Sequence, residues 1–204
     1  MTTPVVISAA VEGVLDEIVL RRLIEGLGAL SGSVYGKNGK SFLLEKLDAY
    51  NQAARFVPWV ILIDLDHDAD CAPPFLQSCL PNPARYMHFR VAVREIEAWL
   101  LADRESLAKF LSVGISRIPN DPENLNSPKS TMVEIARHSR RRDIRENMVP
   151  RAGSGRKIGP AYTSLLIEFA RDPENGWRPN VAAKSSESLD RCMRRLEQLI
   201  RGAA

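Results

Sequence analysis

An unbroken apolar run over residues 59–63 is the feature that most constrains how this chain can fold. It reads WVILI, follows Pro58 and leads directly into Asp64. A strand with apolar side chains on both faces must be covered on both faces, which is typical of central strands in parallel sheets. The run therefore predicts an α/β protein in which helices pack on both sides of a sheet.

Strand and helix patterns alternate along the first half of the chain. Residues 28–41 are rich in Gly and Ser and are expected to be loop, with a short strand at 33–35. We predict a mostly parallel, Rossmann-like central sheet with flanking helices over 1–112, and a mainly helical, basic extension over 113–204 that packs on it as one compact unit. The predicted strands and helices of the first part cover residues 3–11, 14–25, 42–55, 59–63, 86–93 and 94–107.

Carboxylates follow three predicted strands at the point where each strand ends. Glu12 follows the first strand, Asp64, Asp66 and Asp68 follow the apolar run, and Glu97 follows the third. The carboxyl ends of parallel strands meet at one edge of a sheet, where ligands bind in such folds. Crowded carboxylates repel one another, and a divalent cation that keeps several waters offsets this repulsion. The sequence therefore predicts a Mg²⁺ site, or a Mn²⁺ site, formed by these five residues.

Three acidic positions leave alternatives open. Glu95 and Glu97 point about 200° apart on a helix, so only one can face the site unless Glu95 precedes the helix. We favour Glu97, because Trp99 and Leu100 should face the core. An acidic residue that complements the helix N-terminus is the alternative for Glu97. Asp70 fits a polar turn that caps the next helix better than it fits a metal ligand.

Other cation- and phosphate-binding motifs fit less well. An EF-hand loop that starts at Asp64 needs Gly and Glu where the chain has Ala69 and Phe75. A haloacid-dehalogenase-type nucleophile lacks its later Lys and Asp motifs. The segment 39–41, GKS, ends like a P-loop, but Val34 stands where the first glycine is required. A phosphate cradle that is not a P-loop and a plain surface turn both remain open for this segment.

Charge is distributed unevenly along the chain. Residues 1–132 hold 13 Lys and Arg against 16 Asp and Glu, whereas residues 133–204 hold 15 against 9. An acidic part followed by a basic part fits carboxylates that bind a metal and arginines that bind a polyanion, and solvated helix faces are the alternative. Phosphate contacts give affinity for nucleic acid without sequence selectivity. The residues predicted to make them are Arg137, Arg140, Arg141, Arg151, Arg156 and Lys157.

The two acidic motifs resemble those of the Toprim domain, which occurs in topoisomerases, bacterial primases and overcoming-lysogenization-defect nucleases. Glu12-Gly13 before a helix is similar to the first motif. Asp64-x-Asp66-x-Asp68 after an apolar strand is similar to the second. Together, about fifty residues apart, they identify the chain as similar to this family.

A second resemblance covers more of the chain. The segment VAVREIEAWLLAD, residues 91–103, resembles an uncharacterised bacterial branch, domain-of-unknown-function family 4276, as do residues 159–162 and 186–196. The chain departs from the Toprim pattern at Ala69, where glycine often follows the last acid of the second motif. It also has no tyrosine in a position that identifies a topoisomerase nucleophile.

The resemblance implies a Toprim-like fold and a Mg²⁺-dependent phosphoryl-transfer site. Glu12 would act as general acid/base or metal ligand, and Asp64 and Asp66 would serve in catalysis and hold the metal with Asp68. The implied activity is that of a nuclease on nucleic acid phosphodiesters, in a bacterial phage-defence or toxin module. The alternative is a non-catalytic nucleotide- or partner-binding component of such a module.

Composition bears on where the protein works and with what. Three cysteines are too few and too irregularly spaced for a disulfide framework. No apolar stretch reaches the roughly 18 residues that cross a bilayer, and the first residues lack the basic region of a signal peptide. We expect a cytoplasmic protein without a membrane partner. The partners that fit this interpretation are nucleic acid, a protein of the same module and a second copy of the chain.

Overall fold

The computed structural model describes residues 4–69 and 71–203. The turn predicted at Asp70 and the start of the strand predicted at Thr3 lie outside these residues. The described strands are β1 (Val6–Val11), β2 (Leu30–Gly36), β3 (Trp59–Asp64) and β4 (Met87–Ala92).

Helices connect the strands and make up most of the remaining structure. Short 3₁₀ turns over Ile115–Arg117, Pro122–Asn124 and Ala183–Ser185 complete it. The described helices are α1 (Val14–Gly26), α2 (Lys40–Glu45), α3 (Leu47–Ala53), α4 (Ala72–Cys79), α5 (Glu97–Leu101), α6 (Arg104–Leu111), α7 (Pro128–Arg137), α8 (Arg142–Met148), α9 (Tyr162–Arg171), α10 (Pro179–Ala182) and α11 (Glu187–Ala203).

The four strands form one sheet in the order β2-β1-β3-β4, and every neighbouring pair is parallel. The predicted α/β class with a parallel sheet is therefore confirmed. The carboxyl ends of all four strands lie at one edge, where Val11 is in register with Gly36 on one side and Leu62 on the other. The strand order reverses between β1 and β3, the kind of position at which open α/β sheets bind ligands.

The residues of β3 are buried on both faces of the sheet, as the apolar run predicts. Trp59, Ile61 and Ile63 belong to a cluster with Leu43 of α2 and Leu47 of α3. The alternate residues of the strand point to the opposite face, are fully buried as well, and lie over the sheet on the side that α1 does contact. Burying one such aliphatic side chain contributes about 1.5–3 kcal/mol, so this strand anchors the sheet.

Two predicted helices are each interrupted in the structure. The helix predicted over 42–55 is divided into α2 and α3 at Lys46, where the backbone turns (φ −96°, ψ 1°) while Leu43 and Leu47 both remain buried. The helix predicted over 94–107 is wrong at its start, because Arg94 has a positive φ of 65° and α5 begins only at Glu97. Asp103 then begins a new helix, since its side chain accepts a hydrogen bond from the amide of Ser106.

The chain divides into two compact units. Unit 1 contains the described residues up to Val93 together with those from Ser188 onwards, and unit 2 spans Arg94–Glu187. The boundary predicted after residue 112 differs from this division, because it falls inside unit 2. The sheet and α11 belong to unit 1, and unit 2 is helical.

Unit 2 is organised around large buried side chains. Trp99, Tyr162, Phe169 and Trp177 are fully buried, and the indole Nε1 of Trp177 donates a hydrogen bond to the carbonyl oxygen of Trp99, 3.0 Å away. This bond satisfies a donor that burial would otherwise leave without a partner. Across both units, none of the described helices combines the length and the apolar character needed to cross a bilayer.

Candidate functional site

Glu12 and Asp64 meet at the carboxyl edge of the sheet. Glu12 directly follows β1, and Asp64 is the last residue of the neighbouring strand β3. The backbone amide of Asp64 donates a hydrogen bond to Oε1 of Glu12, at 2.8 Å. The structure therefore brings the two predicted acidic motifs together, between the two strands where the sheet order reverses.

Asp66 and Asp68 lie in a turn that follows β3. The sequence interpretation placed them on one side of an extended segment, and that geometry is wrong. Asp66 adopts the left-handed conformation (φ 52°), which Asp tolerates better than most residues, and the amide of Asp68 donates to the carbonyl oxygen of Leu65 at 3.1 Å. The turn, rather than strand alternation, sets the directions of the two carboxylates.

The ammonium group of Lys40 lies between these two carboxylates. Its Nζ is 2.6 Å from Oδ2 of Asp66 and 2.7 Å from Oδ2 of Asp68. Burial lowers the pKa of Lys40, but the hydrogen bonds to Asp66 and Asp68 and the charge of Glu12 outweigh burial, so the net shift is upward. The site thus holds a permanent positive charge at neutral pH.

The loop between β2 and α2 delivers Lys40 to this place. The amide of Lys37 donates to the carbonyl oxygen of Val11 at 2.8 Å, and the amide of Gly39 donates to that of Glu12 at 3.1 Å. Gly36 has a φ of 87°, and a Cβ atom there would lie 2.2 Å from the oxygen of Val11. Only glycine permits this approach, which fixes the start of α2 beside Glu12.

Glu12 is half-buried, and its pKa is raised. Burial is the main cause, the negative charges of Asp66 and Asp68 add to it, and the hydrogen bond from Asp64 and the charge of Lys40 oppose it. A carboxyl group with a raised pKa is a better proton acceptor than an ordinary surface carboxylate. This property suits a general base more than it suits a structural ion pair.

The donor set at this edge suits a cation that keeps part of its hydration shell. Two carboxylate oxygens, from Asp66 and Asp68, converge on one ammonium nitrogen, and Glu12 acts electrostatically on the same group. Mg²⁺ is held in this way, by one or two carboxylates plus waters. In the part of the chain that the structure describes, no group of three or more His, Cys, Asp or Glu side chains is arranged to hold a metal ion. These residues therefore fit a partly hydrated Mg²⁺ and not a closed protein cage.

Glu97 occupies a separate polar cluster within unit 2. Its side chain is almost fully buried, and Oε1 accepts a hydrogen bond from the hydroxyl of Tyr162 at 3.2 Å. Lys129 Nζ lies 3.6 Å from the same oxygen and 3.7 Å from Oε1 of Glu95. Burial raises the pKa of Glu97, the charge of Lys129 opposes this shift, and that of Glu95 adds to it. The role of Glu97 as a metal ligand stays a prediction.

Glu95 and Glu97 both reach Lys129, so the expected choice between them does not arise within unit 2. Glu95 precedes the first residue of α5 and is not subject to helical spacing. Its Oε2 accepts a hydrogen bond from the backbone amide of Lys129 at 2.7 Å, in the first turn of α7. A carboxylate in this position satisfies a helix-terminal amide and complements the helix dipole.

The predicted phosphate-contacting residues are all exposed and lie in unit 2. Two of them already have acidic partners: Arg137 Nε is 3.1 Å from Glu134, and Arg141 Nε is 3.2 Å from Asp143. Arg140 lies between α7 and α8, and the remaining three, Arg151, Arg156 and Lys157, lie in the loop after α8. Their contact with nucleic acid stays a prediction.

Comparison with known proteins found no matching protein-family model, no matching curated protein and no matching solved structure. The geometry of the site is therefore the basis for a functional proposal. Lys40 is the residue of this site that the sequence analysis did not assign. Its only sequence signal was the incomplete P-loop pattern, which places a lysine after two glycines but does not reveal its acidic partners.

Proposed function

We propose that the protein is a Mg²⁺-dependent phosphoryl-transfer enzyme of the Toprim type, and that it acts as a nuclease on nucleic acid phosphodiesters. The observation that carries the proposal is the hydrogen bond between Glu12 and the amide of Asp64. It joins two motifs that are 52 residues apart, and both motifs resemble those of Toprim proteins.

The position of the site supports this proposal. Both motifs end neighbouring parallel strands at the point where the strand order reverses, and ligands of open α/β sheets bind at such points. Asp66 and Asp68 add two carboxylate oxygens that already converge on one positive charge. An edge with these groups can bind a divalent cation together with an anionic substrate.

Each side chain has a distinct task in this proposal. Bound Mg²⁺ would neutralise the phosphate charge and lower the pKa of the attacking water. Asp66 and Asp68 would hold the cation, with Asp64 beside them. Glu12, with its raised pKa, would accept the proton of the nucleophile, and the hydrogen bond from Asp64 would orient the carboxyl group for this transfer.

A non-catalytic nucleotide- or partner-binding component is the second candidate. One observation favours it, because Lys40 already neutralises Asp66 and Asp68 without a metal. In that case the ion pairs would be structural, and the positive loop after β2 would bind a phosphate group. The two candidates differ in whether a divalent cation is required.

Cleavage assays separate the candidates. The purified protein is incubated with plasmid, single-stranded DNA and RNA, in Mg²⁺, in Mn²⁺ and in EDTA. Glu12→Gln and Asp64→Asn test the site, and Glu25→Gln and Asp48→Asn are matched controls, because these exposed residues of α1 and α3 undergo the same chemical changes. Metal-dependent cleavage that only the first pair abolishes supports the enzyme. An inert wild type that binds nucleotide in EDTA supports the second candidate.

A further inference from the structure

Lys40 holds the position that a divalent cation would need. Its Nζ lies within 2.7 Å of carboxylate oxygens of both Asp66 and Asp68. A Mg²⁺ ion bound through those oxygens would lie about 2.1 Å from each of them. The ion and the ammonium group would then overlap, and their positive charges would repel each other. Both cannot occupy the same two oxygens.

The ammonium group is held more firmly than an ordinary surface lysine. Only 15% of the Lys40 side chain is exposed, whereas 46% of each of its two partners is exposed. The negative charge of Glu12 also acts on it. Solvent can therefore reach the carboxylates from outside while the ammonium group covers them from inside, and this arrangement allows one cation to replace the other.

We propose that Lys40 is an internal counter-cation that a divalent metal ion displaces, and that the displaced ammonium group then binds a phosphate-bearing ligand. This inference rests on the proposed metal site. In the metal-free protein, Lys40 neutralises Asp66 and Asp68 and prevents their repulsion. When the metal takes over that task, a positive charge is released at the mouth of the site.

The backbone around Lys40 indicates where the released group stays. The amides of Lys37 and Gly39 are hydrogen-bonded to the carbonyl oxygens of Val11 and Glu12, so the loop is fixed to the end of β1. Rotation of the flexible four-carbon side chain, without movement of the loop, is enough to release the ammonium group. It therefore remains within reach of an anion that binds next to the metal.

The exchange couples the two ligands. Metal binding makes the ammonium group available to an anion, and the anion, by holding that group, removes the competitor of the metal. Each ligand must then raise the affinity of the other by the same factor. Phosphate binding should be weak in EDTA and stronger in the presence of the divalent ion.

Titration with Mn²⁺ tests the exchange directly, with free Mn²⁺ measured by electron paramagnetic resonance. Lys40→Met removes the competing charge, and Lys37→Met is the matched control, because Lys37 belongs to the same loop but pairs with Glu17 at 3.0 Å. We expect Lys40→Met to bind Mn²⁺ roughly tenfold more tightly than Lys37→Met, since two partly buried ion pairs no longer compete. Circular dichroism melting curves establish that both variants are folded.

Inorganic phosphate supplies the second measurement. In the wild type and in Lys37→Met, saturating Mn²⁺ should strengthen phosphate binding in calorimetry, and in Lys40→Met this increase should be lost. Equal Mn²⁺ affinity in Lys40→Met and Lys37→Met would overturn the exchange while the metal site stands, provided that Asp66→Asn weakens Mn²⁺ binding. No Mn²⁺ binding in either the wild type or Lys40→Met would overturn the metal site and the exchange together.

Discussion

The side chain of Glu12 is oriented by the main chain of Asp64, whose amide donates to Oε1 at 2.8 Å. The position of the carboxylate therefore depends on the pairing of β1 with β3, in which Val11 is in register with Leu62. A proton acceptor whose place is set by sheet pairing is already organised before any ligand binds.

Replacing Glu12 by Ala should destabilise unit 1 more than replacing it by Gln. The Gln side chain can still accept the hydrogen bond from Asp64, whereas Ala leaves that amide without its acceptor. We expect Glu12→Ala to lower the free energy of unfolding by about 1–3 kcal/mol relative to Glu12→Gln. Urea denaturation measures the difference, and equal stability of the two variants would contradict the structural role of this bond.

Gly36→Ala should be far more damaging than Gly28→Ala. Both glycines have a positive φ, so both variants carry the strain of about 1–2 kcal/mol that an L side chain has in this conformation. At Gly36 the new Cβ would also lie 2.2 Å from the oxygen of Val11, whereas at Gly28 it would meet nothing within 4 Å. Thermal melting compares the two, and similar melting temperatures would show that the approach of the loop to β1 is not required.

Asp103→Ala should strongly destabilise unit 2. This fully buried carboxylate accepts hydrogen bonds from the backbone amide and the guanidinium of Arg178, at 2.9, 3.0 and 2.6 Å. Removing it leaves Arg178 without its buried partner and α6 without its N-cap, so we expect a loss of about 3–5 kcal/mol. Glu105→Ala is the control, because Glu105 contacts the same arginine but is 64% exposed, and its loss should be about 1 kcal/mol or less. Urea unfolding curves that coincide for the two variants would rule out the predicted difference.

His88 should make the protein less stable as the pH falls from about 6.5 to 4. Burial, aided by the charges of Arg90 and Arg195, lowers the pKa of His88 to about 4, below its ordinary value of 6.5. In this interval the unfolded chain binds a proton that the folded chain does not, so acid favours unfolding. Complete burial would make the effect about 3 kcal/mol, and solvent screening of this half-buried ring reduces it to about 1–2 kcal/mol.

The measurement for His88 is a series of urea denaturation curves between pH 4 and pH 7. His88→Gln cannot titrate, so its stability should change less over this interval than that of the wild type. The same slope in both proteins would assign the pH dependence to other groups.

The parts of the fold that sequence predicted are those determined by local pattern. The apolar residues of β3 and the acidic residues that follow it required no knowledge of distant contacts. β2 was expected only over 33–35, because its Gly and Ser residues give an edge strand a weak signal, and it extends over Leu30–Gly36. The break at Asp103 could not be predicted, since it depends on Arg178, 75 residues away.

The candidate site shows the same limit. The meeting of Glu12 with Asp64 followed from the rule that parallel strands end at one edge. The contacts of Lys40 with Asp66 and Asp68 span 26 and 28 residues and depend on a turn and on the close approach at Gly36. No periodicity in the sequence records such a pairing, because it arises from how two loops fold against the strand ends.

Unit 1 is made of two stretches separated by the whole of unit 2. Its second stretch contributes the hydroxyl of Ser188, which accepts a hydrogen bond from the amide of Val93 at 3.3 Å, and the fully buried thiol of Cys192. A nascent chain that has left the ribosome as far as β4 has all four strands but lacks α11. The sheet must therefore wait, incompletely covered, until the inserted helices have been synthesised, and during that interval it is the part of the protein most in need of a chaperone.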